Sequence, residues 1–129
     1  MNYSDLTRRY FETARAAGVL SGNRVGRGAA GSRRGGTWVQ FDIELEPAPY
    51  PERRIAAARF LAFACPHTIA VAAWVAERAV GEVCAAGLPE SVHAISRRFE
   101  VPAEKLGRLL IVEDAWAAAV AAAKLRVTM

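Results

Sequence analysis

The sequence predicts an α+β fold: a small antiparallel sheet of about three strands, placed after an N-terminal helix and covered by C-terminal helices. Two observations carry this. Residues 37–46 alternate strictly, with Val39, Phe41, Ile43 and Leu45 set against Gln40, Asp42, Glu44 and Glu46. That is the period of a strand with one apolar and one solvated face. From Pro66 onward the apolar residues recur at helical spacing, in three segments. Strands grouped first and helices grouped after them argue for helices packed on one face of an antiparallel sheet.

Taken in order, Ser4 is a fitting N-cap for a helix over residues 5–17, where Leu6, Tyr10, Phe11 and Ala14 form one apolar face. Gly18 ends it. Residues 22–36 are rich in glycine and arginine and read as a loop or weak strand, the most mobile part of the chain. The alternating strand follows. Pro47, Pro49 and Pro51 make a turn, and residues 55–64 read as a second strand, so the two form a hairpin. A helix runs over residues 66–80 and is closed by Gly81. Another covers residues 89–99, with Ser91 as a cap. Pro102 opens an alanine-rich last helix to about residue 125, with Leu106, Leu109, Leu110, Val112 and Trp116 available to pack.

The chain has 129 residues, 53% of them hydrophobic, enough for one domain (1–129) with its own core. The net charge is +4 and the pI about 9.6. The cations cluster at Arg24, Arg27, Arg33 and Arg34, and again at Arg97, Arg98, Lys105 and Arg108. No aromatic residue is interleaved with them and no nucleic-acid motif is present, so we read them as solvated loop and helix ends and expect no nucleic-acid partner. Two cysteines, Cys65 and Cys84, do not make a disulfide framework and suit a reducing compartment. No basic segment leading into an apolar run opens the sequence, and Glu77 and Arg78 interrupt the longest apolar stretch. We therefore expect a cytoplasmic protein that does not enter a membrane.

Gly26-Arg27-Gly28-Ala29-Ala30-Gly31 matches G-x-G-x-x-G. A dinucleotide site needs a strand before that motif and a helix after it. Here a strand follows, so the glycines are read as those of a flexible loop. Cys65 is the residue most suited to chemistry. A strand runs into it and Pro66 starts a helix after it, which makes Cys65 the N-cap. Unpaired backbone N–H groups and the helix dipole at that place favour a thiolate, and a charged His67 would add to this. The competing reading is a small buried hydrophobe. A zinc site from Cys65, His67, Cys84 and His93 is disfavoured, because residues two apart on a helix diverge.

With these residues in hand, the chain resembles the IscU/NifU-type iron–sulfur cluster scaffold family, which shares its architecture with SufE-type proteins. Tyr3-Ser4, Tyr10-Phe11 and Gly18-Val19-Leu20 resemble the family's first helix and its exit. Ala58-Arg59-Phe60-Leu61-Ala62-Phe63-Ala64-Cys65 resembles the strand leading to its second cluster cysteine. Val101-Pro102-Ala103-Glu104-Lys105 resembles the Leu-Pro-Pro-x-Lys stretch bound by an Hsp70-type chaperone, and Glu113-Asp114-Ala115 a tripeptide of the final helix. The departures are equally specific. The family's Cys-Gly-Asp loop is Gly35-Gly36-Thr37 here, and its His-Cys pair falls on Gly107 and Arg108. Only Cys65 remains of the usual ligands, too few for an iron–sulfur cluster, which normally takes four.

The resemblance thus implies a non-enzymatic, divergent member of iron–sulfur cluster assembly. Cys65 would serve as a cluster-binding, metal or persulfide site. Pro102 and Lys105 would be docking residues, and a cysteine desulfurase or an Hsp70-type chaperone would be the partner. Arg108, where the family has a ligand, would stand beside Cys65, favouring an anionic sulfur and repelling iron. Two other functions stay open: a non-catalytic docking module, and a homodimer that bridges a cluster or metal between two copies of Cys65.

Overall fold

A computed structural model describes residues 3–47 and 53–128. Its elements run α1 (Asp5–Thr13), β1 (Val25–Ser32), β2 (Thr37–Leu45), β3 (Ile55–Phe63), α2 (Pro66–Ala79), α3 (Val92–Phe99), a 3₁₀ turn (Ala103–Lys105) and α4 (Leu106–Thr128). The strands form one antiparallel sheet in the order β1-β2-β3. The α+β class is therefore as expected. Pro49 and Pro51 lie outside the described residues.

The alternation in β2 sets the layers. Val39, Phe41 and Ile43 are fully buried on the face that α4 covers, and the ring of Phe41 meets Trp116 of α4 edge-on at 5.1 Å. Phe60 of β3 pairs with Phe41, and Ala58 with Ile43, so they share that inner face.

Of the two readings of the glycine-rich segment, loop or weak strand, the structure takes the strand over Val25–Ser32. It is the edge strand β1, and its glycines serve close packing. A Cβ on Gly26 would lie 2.1 Å from the backbone N of Ala123, and one on Gly28 2.2 Å from that of Ala119. Both positions face α4, which presents Ala115, Ala119 and Ala123 at four-residue spacing, all fully buried. The G-x-G pattern and the alanine stripe thus have one cause: the α4 backbone lies against the β1 backbone. No helix follows the motif directly, which removes the geometry a dinucleotide site needs.

The first helix is also shorter than its pattern suggests. Ala14 adopts a left-handed conformation (φ 40°) and caps it after Thr13. Residues 16–18 then pair alongside β3: Phe60 N–H donates to Ala16 O at 2.9 Å, and Gly18 N–H to Phe60 O at 2.8 Å. Tertiary pairing has overridden local helix propensity there. Ser4 caps α1 as expected, accepting from Thr7 N–H at 3.1 Å.

From β3's outer edge the chain crosses the outer face of the sheet to reach β1. At the crossing, Leu20 N–H donates to Asp42 Oδ2 at 2.8 Å. Arg27 holds the same carboxylate through two hydrogen bonds of 2.8 Å. Asp42, expected on a solvated face, is consequently 1% exposed. Burial pushes its pKa up, but the Arg27 hydrogen bond, the Leu20 N–H and the Arg27 charge outweigh this and hold it below the usual carboxylate value. A depressed folded-state pKa contributes stability above the unfolded value of about 3.9, lost as pH falls through the folded value. Asp42→Ala is expected to cost about 1–3 kcal/mol at pH 7, since it leaves the Leu20 N–H without its acceptor. The deficit should shrink at acid pH, where the wild-type carboxylate is protonated too. Urea unfolding at both pH values checks this.

Candidate functional site

One end of the sheet gathers three segments. Trp38 pairs with Phe63, so the β1–β2 turn lies beside the exit of β3. The position of a Cβ on Gly31 is 3.0 Å from Ile111 Cγ2, which places the start of α4 at this same end. In the turn, Gly35 N–H donates to Ser32 Oγ at 2.9 Å, and Gly36 takes φ +89°. Thr37 behind it is buried. These are the segments in which Gly35, Gly36, Thr37, Gly107 and Arg108 were aligned with cluster-binding positions.

Cys65 stands where they meet. Its backbone is extended (φ −73°, ψ 162°) and it is the N-cap of α2, with Pro66 in the first turn, as expected. The thiol is half-buried, and its Sγ lies 3.4 Å from Thr68 Oγ1. Burial pushes the thiol pKa up. The Thr68 hydroxyl, the Thr68 N–H and the Arg108 guanidinium pull it down and prevail, leaving it below the ordinary thiol value. Arg108 is thus the cation beside Cys65.

His67 does not play that part. It is 2% exposed, and its ring meets Tyr3 edge-on at 4.6 Å. Burial first, then the charges of Lys105 and Arg108, lower its pKa, so it is neutral at pH 7. Its Nδ1 has no hydrogen-bond partner. The expected imidazolium is replaced by a neutral ring in a positive field.

Pro102 and Lys105 bound the 3₁₀ turn, where Lys105 N–H donates to Pro102 O at 2.9 Å. Both are half-buried, and the effect of Lys105 on His67 places it near the Cys65 end. Cys84 is elsewhere. Its N–H donates to Arg53 O at 2.9 Å, at the start of β3, and burial raises its thiol pKa. A cavity of about 270 Å³ lined by Ile55, Leu88 and Trp116 lies at that far end. His93 is exposed on α3.

Among the described residues, no three His, Cys, Asp or Glu side chains come together as a metal-binding group. The side chains present around Cys65 do not fit a protein-held cluster, and the charge that acts on the thiol is that of a cation, Arg108. Thr68 escaped the sequence reading. Its signal was available, because a residue three after an N-cap returns to the cap.

The model of the family described as "NifU-like N terminal domain" matches residues 2–128. No curated protein matches the chain. Among solved structures, the chain is similar to a protein assigned as an iron–sulfur cluster assembly scaffold for the SUF system of the thermophile Fervidobacterium islandicum AW-1. The TM-score is 0.64 and the identity 11%, over 92% of this chain and 96% of that one. At that identity the likeness shows the fold. The family match spans nearly the whole chain, from the first helix through the end of α4, and on it we conclude that this protein belongs to the NifU-like N-terminal domain family.

Proposed function

We propose that this chain works in iron–sulfur cluster assembly as a sulfur-carrying relative of the scaffolds rather than as a scaffold holding a complete cluster. The observation that supports it is the pairing of Cys65 with Arg108 at a helix N-terminus, in a site without a second thiol. A thiolate is the reactive form in sulfur exchange. The Cys65 thiolate attacks the terminal sulfur of a donor protein's persulfide. A new S–S bond forms at Cys65, the donor's S–S bond breaks, and the donor leaves as a thiolate. Cys65 then carries a persulfide, and the negative charge has passed to the donor. Arg108 favours the anionic attacking sulfur and the persulfide anion that follows on deprotonation.

By family resemblance the donor is a cysteine desulfurase, and the turn between Pro102 and Lys105 is the docking place of an Hsp70-type chaperone. The protein acts as one domain, is not itself an enzyme and works in the cytoplasm. The described residues contain no helix long and apolar enough to cross a membrane.

The test is a sulfur-transfer assay with a persulfidated desulfurase, read by intact-protein mass. One added sulfur on the wild type, retained in Cys84→Ser and absent in Cys65→Ser, is the expected result. Transfer unaffected by Cys65→Ser overturns the proposal and favours the docking module.

A further inference from the structure

The outer face of the sheet is only half covered. The crossing segment around Leu20 lies over the row Arg27, Asp42 and Arg59. Beyond it, toward the Cys65 end, the next outward rows are Ala29, Gln40 and Leu61, then Trp38 and Phe63. Phe63 is 50% exposed and Leu61 37%. Trp38 and Phe63 are direct cross-strand partners. The Arg33 guanidinium lies 5.6 Å from the Trp38 ring and 6.0 Å from that of Phe63. Arg34 adjoins it in the same turn, and both arginines are exposed. Neither outward row contains a carboxylate, and the neighbouring Asp42 is held by Arg27.

We propose that this face binds a short single-stranded nucleic acid. Two adjacent rings on an open sheet, with the planar Arg33 guanidinium over them, offer a stacking platform of the kind single strands use, and Arg33 and Arg34 suit the phosphates. Sequence distance had hidden the second ring: the pairing of β2 with β3 brings Phe63 beside Trp38 and Arg33. The charge is complementary to a polyanion, and the rings add an element that charge alone does not need. An acidic protein segment would use the arginines and have less use for both rings. This inference is independent of sulfur transfer.

The test is fluorescence anisotropy of a labelled U12 oligonucleotide with the purified chain. The expected dissociation constant is about 10–100 μM at 50 mM salt, weakening with salt by a slope of about 0.7 per phosphate contact. Phe63→Ala, at a half-exposed position, is expected to weaken binding roughly tenfold with unchanged circular dichroism. Arg33→Lys, which keeps the charge but loses the planar group, is expected to weaken it less, and Arg33→Ala more. Absence of binding at 50 mM salt overturns the proposal. So does poly-L-glutamate competing as well as U12 while Phe63→Ala has no effect, which would mark a docking surface for an acidic protein. Should Phe63→Ala misfold, equal binding by wild type and Arg33→Ala would overturn it.

Discussion

Gly28→Val is expected to abolish stable folding, or to cost at least about 3 kcal/mol, the upper range of overpacking effects. The contact it would create is with backbone: the Cβ position is 2.2 Å from Ala119 N and 2.4 Å from Ala118 C. A side chain can rotate away from a clash, whereas α4 can yield only by moving bodily off the sheet. Moving it would open the contact between Phe41 and Trp116 and uncover Val39, Phe41 and Ile43. Loss of that packing would remove the start of α4, and with it Arg108, from the Cys65 end. The loss should be seen as a lowered urea midpoint or an absent thermal transition. Gly107→Ala is the control. Apart from its chain neighbours and its own helix backbone, no atom lies within 4 Å of its Cβ position, and it sits within a helix. That change should be neutral or stabilising by up to about 1 kcal/mol. Equal tolerance at both positions would show that β1 and α4 are not held backbone to backbone.

The second large effect is expected at Cys65. In a Cys84→Ser background, the pH profile of alkylation should have its midpoint below the free-thiol reference of about 8.5. Arg108→Gln should move that midpoint up and slow alkylation at pH 7 severalfold, because the charge and the hydrogen bond to the thiolate are both lost. Thr68→Val should shift it in the same direction, since Thr68 Oγ1 lies 3.4 Å from Sγ. The thiol's folded-state pKa is depressed, so its contribution to stability is present above the unfolded value and is lost as pH falls through the folded one. Stability should therefore rise with pH through that window in wild type and rise less in Arg108→Gln. A midpoint at or above 8.5, or no reaction in the folded state, would mark Cys65 as a buried structural thiol. The sulfur-transfer reading would then lose its nucleophile.

Much of this was legible from residue order. The alternation of β2, the Ser4 and Ser91 caps, and Pro66 after Cys65 each express a local rule, so their elements fell close to expectation. Departures came where a distant partner decided the outcome. Residues 16–18 stand outside the helix, where Phe60 pairs with them. Asp42 is buried because Arg27 and Leu20 converge on it from two other segments.

The sequence by itself determined the fold class, the family resemblance and the place of Cys65 at a helix start. These depend on periodicity, capping and residue identity, which act within a few positions of the chain. Only the tertiary structure decided that the glycine-rich segment is a strand rather than a loop, that His67 is neutral, that Arg108 faces the thiol, and that two aromatic rings meet Arg33 of the β1–β2 turn. The reason is physical: a charge, a close approach or a shared surface is a property of distances between segments, and those distances exist only once the sheet has paired and the helices have packed upon it.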